Sequence, residues 1–179
     1  MGRKELIVAG RVALFLIFAV ILQTVLISHL RILGVTADLF LILTIIVAVS
    51  RGSLQASIFG FVAGLIADIA YFEPMGVHSL VYVLAGFFVG MVVVRFGTVS
   101  PWSVALLAGV TSFLAQFLFG LFQYVMGPRG GFFTMIGLQM APEAVLDGLI
   151  TAPLYVFLVR VRLLPAPHLD GAHLGGGDE

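Results

Sequence analysis

The sequence predicts an all-α integral membrane protein, a compact bundle of six transmembrane helices. Three observations support this prediction. Hydrophobic residues make up 61% of the 179 residues and charged residues only 10%, the mean hydropathy is +1.18, and long apolar runs alternate with short turn segments. Soluble domains are nearer ~45–50% apolar and ~25% charged. A chain of this length also has too little interior to hide the excess apolar surface.

Six helices of about 20 apolar residues each fit into this length when the loops are short. The predicted spans cover residues 12–33, 38–50, 53–72, 77–95, 102–126 and 142–161. Together they form a single transmembrane domain over residues 1–164, which leaves no room for a large extramembrane domain.

Charged and turn-forming residues bound the first three spans. The first follows a basic start, and no small-residue cleavage site comes after it, so we interpret it as an uncleaved helix. The second is short; it opens at Asp38, whose carboxylate can cap the free amides of a helix start, and it ends at Arg51. The third stops at Glu73 and Pro74.

Proline and glycine bound the last three spans. Pro101 precedes the fifth span, and a glycine-rich turn at residues 127–131 ends it. Residues 132–141 are apolar but too short to span, so they either lie at the interface or form a re-entrant segment. The sixth span starts at Pro142, which suits a first helical turn. Residues 165–179 predict a disordered cytoplasmic tail.

Arginine and lysine predict the orientation, because cytoplasmic loops of membrane proteins carry an excess of them. With six spans and a cytoplasmic N-terminus, seven of the nine basic residues fall on the cytoplasmic side. These are Arg3, Lys4, Arg11, Arg51, Arg95, Arg160 and Arg162. Arg31 and Arg129 remain outside. The bias disappears if the second run does not span, so we predict six spans with both termini in the cytoplasm.

Small residues at helical spacing predict where helices approach closely, because packing rather than a hydrophobic force joins helices in lipid. Five such residues lie at four-residue steps in the third and fourth spans: Ala56, Gly60, Gly64, Gly86 and Gly90. The stripe on the third span continues to Asp68. Small and polar residues recur in the fifth and sixth spans at Gly109, Ser112, Gln116, Gly120, Gln123, Ala141, Ala144, Gly148, Thr151 and Tyr155. We predict that these stripes serve helix packing or partner binding.

Four carboxylates are candidates for an outer-half polar site: Asp38, Asp68, Glu143 and Asp147. Ionisable groups inside a membrane are costly and are functional candidates by default. Glu143 and Asp147 lie four residues apart, where like charges repel, so they need a proton, a cation or a donor such as Arg129. Asp68 either satisfies an internal hydrogen bond or meets a partner's cation. We predict that the site helps to hold a partner.

Motifs for catalysis or cofactor binding are lacking. The sequence has no nucleotide-binding loop, nucleophile elbow or zinc-protease motif, and it has no cysteine, so we predict no catalytic residue, no cofactor and no metal site. His29 and His78 are isolated in sequence and make only a weak metal pair. Gln23 is predicted to form a hydrogen bond across the bundle. The formal charge of zero does not favour nucleic acid.

Four short motifs follow one another between residues 37 and 90. They read Ala-Asp-Leu at 37–39, Gly-Phe-Val-Ala-Gly-Leu-Ile-Ala-Asp at 60–68, Gly-Val-His-Ser-Leu at 76–80 and Gly-Phe-Phe-Val-Gly at 86–90. This ordered set resembles the bacterial rod shape-determining family MreD, whose stretches are typically Pro-Asp-Leu, Gly-Phe-x-x-Gly-Leu-x-x-Asp, Gly-x-x-x-Leu and Gly-Tyr-x-x-Gly. Ala37 and Phe87 depart from the family pattern, and neither disturbs the acid or glycine positions.

The resemblance implies a non-enzymatic subunit of the cell-elongation machinery in the bacterial inner membrane. Such proteins associate with the bitopic protein MreC and, through it, with MreB filaments. They work beside a RodA-type glycan polymerase and its penicillin-binding transpeptidase. The implied role is to help organise peptidoglycan synthesis and cell shape, in contact with membrane lipids.

The family is also similar in helix count and size to the substrate-binding S-components of energy-coupling-factor vitamin transporters. The alternative function is therefore a small-molecule uptake subunit. Such a protein should have a pocket with convergent polar groups and aromatic residues in its outer loops, whereas the loop at residues 31–38 is short and mostly aliphatic. A proton- or lipid-translocating enzyme would rest on Asp68, Glu143 and Asp147 alone.

Overall fold

The computed structural model describes Val20, Ile21, Gln23 and residues 36–71, 75–96, 100–126 and 136–160. Every regular element in this part of the chain is helical. The elements are α1 (Leu39–Arg51), α2 (Ser53–Tyr71), α3 (Val77–Phe96), α4 (Pro101–Met126), a π-helical turn (Ile136–Met140) and α5 (Ala141–Arg160). The predicted all-α class is confirmed. The five α-helices correspond to the second to sixth predicted spans, while most of the first span and the predicted tail lie outside the described residues.

Helices α2 to α5 are each long and apolar enough to cross a membrane. At 1.5 Å per residue, the 19 residues of α2 extend about 28 Å, which is close to the ~30 Å of a bilayer's hydrocarbon core. Helix α1 has only 13 residues and extends about 20 Å. The structure therefore contains four helices of spanning length and one shorter apolar helix.

Helix α1 is the core of the bundle. Its eleven residues from Leu39 to Val49 are all buried, and none exposes more than 6% of its surface. It contacts each of α2, α3, α4 and α5. A helix that is apolar on every face is stable only where neighbours or lipid surround it, and here the neighbouring helices do so.

Helices α2 and α3 form an antiparallel pair whose contact is lined by the predicted glycine stripe. Backbone atoms of one helix face the glycines of the other: Tyr82 faces Gly60, Ser79 faces Gly64, Ala56 faces Gly86 and Ser53 faces Gly90. A Cβ atom at Gly60 would lie 2.6 Å from the Tyr82 carbonyl oxygen, and one at Gly64 would lie 2.7 Å from the His78 carbonyl carbon. Real Cβ contacts are not that short, so only glycine allows this approach.

Helices α4 and α5 form a second antiparallel pair. A Cβ atom at Gly148 would lie 2.9 Å from the Ala105 carbonyl oxygen, and one at Gly109 would lie 3.3 Å from the Ala144 carbonyl oxygen. The small residues that the sequence placed at helical spacing on these two helices therefore face each other. The two pairs pack around α1.

The bundle has two ends that differ in charge. Successive helices run in opposite directions, so the last turns of α1, α3 and α5 lie at one end, which we call the Arg51 end. These turns carry Arg51, Arg95 and Arg160. The opposite end, which we call the Asp38 end, includes the start of α1. The four acidic residues of the described part of the chain all lie toward the Asp38 end.

Candidate functional site

Asp38 caps the N-terminus of α1, as its position in the sequence predicted. Its Oδ1 atom accepts hydrogen bonds from the backbone N–H groups of Phe40 at 3.1 Å and Leu41 at 3.2 Å. Its Oδ2 atom accepts a hydrogen bond from the Tyr82 hydroxyl on α3. A carboxylate at this position is also favoured by the partial positive charge of a helix start. Asp38 thus fixes where α1 begins and joins it to α3.

The same residue connects to the α4–α5 pair through Asp147. The Asp38 backbone N–H donates to Asp147 Oδ1 at 2.9 Å, and the Ser112 hydroxyl donates to Asp147 Oδ2. Tyr82, Asp38, Asp147 and Ser112 therefore form one hydrogen-bond network that joins α3, α1, α5 and α4; we call it the Asp38–Asp147 network. A hydrogen bond contributes about 0.5–1.5 kcal/mol, so this network stabilises the relative positions of four helices.

Gln23 joins the first predicted span to the same end of the bundle. Its amide nitrogen donates to the Ala37 carbonyl oxygen at 3.2 Å and to the Tyr71 hydroxyl at 2.9 Å. Its amide oxygen accepts from the Leu39 backbone N–H at 3.0 Å. The prediction that Gln23 forms hydrogen bonds across the bundle is confirmed.

Asp68 accepts hydrogen bonds at the N-terminus of α3, as Asp38 does at the N-terminus of α1. Its Oδ2 atom accepts from the Gly76 N–H at 2.7 Å and from the Ser79 hydroxyl at 3.4 Å. Its Oδ1 atom accepts from the His78 N–H at 3.0 Å and pairs with His78 Nδ1 at 2.8 Å. Gly76 has a positive φ of 100°, which glycine adopts without strain. Asp68 therefore places a carboxylate at the start of α3, where free N–H groups favour it.

The hydrogen-bond donors to Asp68 and Asp147 come from the chain itself, which the sequence alone could not show. Asp68 is 1% exposed and Asp147 is 0% exposed, so both side chains lie inside the bundle. Donors within the bundle satisfy both of them. Arg129 and His29, which the sequence offered as a partner cation and a metal ligand, lie outside the described residues.

A cavity of about 320 Å³ borders the Asp38–Asp147 network, and Asp38 and Tyr82 form part of its wall. Its wall contains Gln23, Thr36, Ala37, Asp38, Leu41, Tyr71, His78, Val81, Tyr82, Ala115, Gln116, Phe119, Gln123, Gln139 and Glu143. Most of these residues are polar, and they come from every described helix and from the turns at the Asp38 end. The cavity brings Asp38 and Glu143 to one site, whereas Asp68 and Asp147 lie behind its wall.

Aromatic rings form one side of the cavity. The His78 ring lies 4.4 Å from the Phe119 ring, 5.5 Å from the Tyr71 ring and 5.6 Å from the Tyr82 ring, measured between centroids. Asp68 holds the His78 imidazole through Nδ1, which fixes the orientation of the ring. The wall therefore combines carboxylates, amides and π faces, which can bind a ligand.

Sequence reasoning did not identify His78, Tyr82 and Ser112 as members of the site. His78 is isolated from other histidines in the sequence, although Tyr82 follows it by four residues on the same face of α3. Ser112 belongs to a predicted packing stripe, and its spacing alone does not indicate a hydrogen bond to Asp147. The sequence feature that could have identified these residues is the four-residue spacing of polar residues on apolar helices. Within the described residues, no group of three His, Cys, Asp or Glu side chains is placed to hold a metal ion.

Comparison with known proteins gives one finding. A family model described as rod shape-determining protein MreD matches residues 4–162. No curated protein and no solved structure matches the chain. The matched range includes every described helix and all residues of the cavity wall.

Proposed function

The chain belongs to the MreD family of rod shape-determining proteins, and on this premise we propose that it is a non-enzymatic scaffold subunit of the cell-elongation machinery. In this proposal it binds MreC, and through MreC it is connected to MreB filaments, the RodA-type glycan polymerase and the penicillin-binding transpeptidase. Its role is to help organise peptidoglycan synthesis in the inner membrane. The family match over residues 4–162 is the observation that carries the proposal.

The geometry supports a scaffold more than a catalyst. The acids Asp38, Asp68 and Asp147 accept hydrogen bonds that fix helix starts and helix positions. A rigid frame of this kind can present a constant surface to partners. Because packing between α2 and α3 occupies Gly60 and Gly64, we propose that MreC binds an exposed apolar face of the bundle instead.

We further propose that the domain contains six spans in residues 1–164, with an arrangement like that of S-components, and that the Arg51 end faces the cytoplasm. Arg51, Arg95 and Arg160 all lie at that end, which is the distribution that the positive-inside rule favours. Both termini are then cytoplasmic, and the polar cavity opens toward the outer side.

Affinity purification in a mild detergent tests the proposed partner. A tagged chain expressed at its native level should recover MreC, and an unrelated tagged membrane protein of similar size serves as the matched control. Co-expression with MreC alone then tests whether the contact is direct. The proposal fails if MreC is absent from the recovered proteins while another stable partner is present.

One observation is relevant to the uptake alternative. The cavity provides the convergent polar groups and aromatic rings that a substrate-binding subunit needs, although the comparisons give that alternative no support. The same purification separates the two functions, because an uptake subunit should recover a transporter transmembrane subunit with its ATPases.

A further inference from the structure

The charge of the cavity wall is unbalanced. Asp38 and Glu143 line the wall, and Asp147 lies directly behind Asp38. The described residues of the wall include no lysine and no arginine, and their one histidine, His78, is already paired with Asp68. An ionised carboxylate in this wall attracts cations and repels anions, and the low polarity of the surrounding bundle strengthens both effects. A bound cation in turn favours the ionised form of the acid.

Asp38 and Glu143 differ in their hydrogen-bond partners. Neutral donors already hold both oxygens of Asp38, which caps α1. Glu143 interacts with the Gln116 side chain, a neutral amide. Because Glu143 stands in the first turn of α5 and lines the cavity, it can turn its carboxylate to a bound group without releasing a helix.

The aromatic wall provides a second feature that favours a cation. Tyr71, Tyr82 and Phe119 surround the His78 ring and line the same space. Aromatic faces attract ammonium and guanidinium groups within about 6 Å, and they attract them more strongly when the site excludes water. An apolar ligand would gain from the rings but would bring no positive charge and no donor to Glu143.

The size of the cavity limits the ligand. At about 320 Å³ it stands at the small end of the ~300–1,000 Å³ range of ligand sites. We propose that this cavity binds a small organic cation, a protonated alkylamine, with the ammonium group at Glu143 and its carbon chain against the rings. This binding activity goes beyond the scaffold function and does not depend on it. The amine can be a free molecule or the headgroup of an amine-bearing lipid.

The test uses the purified full chain in maltoside micelles and follows thermal unfolding by intrinsic fluorescence. The probe is n-butylammonium chloride. Sodium chloride at equal ionic strength is the salt control, and 1-butanol is the neutral ligand of matched length. A ligand that binds only the folded chain raises the unfolding midpoint in a saturable way. We expect butylammonium to do so, and we expect no such rise with sodium chloride or 1-butanol.

Two cavity variants and one control variant locate the effect. Glu143→Gln keeps the size of the side chain but removes its charge, so the half-saturating concentration should rise about tenfold. Phe119→Leu keeps the charge and removes an aromatic face, so it should also weaken binding, and it tests the proposal even if Glu143→Gln does not fold. Gln55→Ala changes an exposed polar residue of α2 near the Arg51 end and should leave binding unchanged.

Added lipids distinguish the two sources of the amine. If phosphatidylethanolamine raises the midpoint and competes with butylammonium while phosphatidylglycerol does not, the site takes a lipid headgroup. If neither lipid competes, the site takes a free amine. The proposal is overturned if butylammonium gives no saturable rise, if 1-butanol acts equally well, or if the folded cavity variants respond like the unaltered chain.

Discussion

Replacing Gly64 by alanine tests the close contact between α2 and α3. A Cβ atom at this position would lie 2.7 Å from the His78 carbonyl carbon and closer still to the Ser79 backbone, whereas ordinary contacts begin at 3.4 Å. The difference means that α2 and α3 must separate by at least about 0.7 Å. The opposing atoms belong to the backbone, so no rotamer change can relieve the contact.

The expected change in the free energy of unfolding for Gly64→Ala combines two opposing contributions. Inserting atoms into a packed core costs about 1–3 kcal/mol, and the backbone contact places Gly64→Ala at the upper end. Alanine is favoured over glycine inside a helix by roughly 0.8–1.0 kcal/mol. The free energy of unfolding should therefore fall by about 2 kcal/mol, which lowers the unfolding midpoint of a chain this size by roughly 4–8 °C.

The assay is thermal unfolding of purified variants in maltoside micelles, with Gly109→Ala as the matched control. That substitution brings the same gain in helix propensity, but its Cβ atom would lie 3.3 Å from the Ala144 carbonyl oxygen, so a shift of a few tenths of an ångström accommodates it. We expect Gly109→Ala to unfold within about 1 kcal/mol of the unaltered chain. Equal midpoints for the two variants would refute the close approach of α2 and α3.

Three further predictions concern the acids and the orientation. Asp68→Asn should lower the free energy of unfolding by roughly 1–3 kcal/mol, because the new NH₂ group would face donors; thermal unfolding measures this, and an unchanged midpoint would contradict the donor arrangement. Tyr82→Phe and Ser112→Ala each remove a donor to the Asp38–Asp147 network. A double-mutant cycle measured by denaturant unfolding should therefore give a coupling energy of about 0.5–3 kcal/mol between them. Strictly additive effects would indicate two separate sites. The chain has no natural cysteine, so single cysteines introduced at Ser53 and Met75 can be labelled without background. They should react with membrane-impermeant reagents from the cytoplasmic and outer sides respectively. Labelling at position 53 from outside would exclude the proposed orientation.

The helices could be predicted because their causes are local. Each long apolar run is bounded by proline, glycine or charge, and the observed helix bounds fall within two residues of the predicted spans. The capping role of Asp38 was also accessible, since a cap involves only the next three residues. The composition alone excluded a soluble fold.

The place of α1 in the bundle could not be predicted. Its residues are apolar on every side, and a sequence of that kind fits either a helix surrounded by lipid or one surrounded by protein. Only the packed structure shows that four other helices cover it. The same limit applies to the glycine stripe, whose spacing indicated a close approach but not which surface approaches it.

The sequence by itself determined that this is a helical membrane protein, where the five described α-helices begin and end, and which residues depart from the apolar pattern. Only the tertiary structure decided that Asp38 meets Asp147, 109 residues away, that His78 pairs with Asp68, and that Glu143 shares a cavity with the start of α1. The physical reason is that helix formation and capping depend on neighbours within about four residues. Contacts between helices depend instead on how each helix is rotated and placed, which is set by packing at many small residues together.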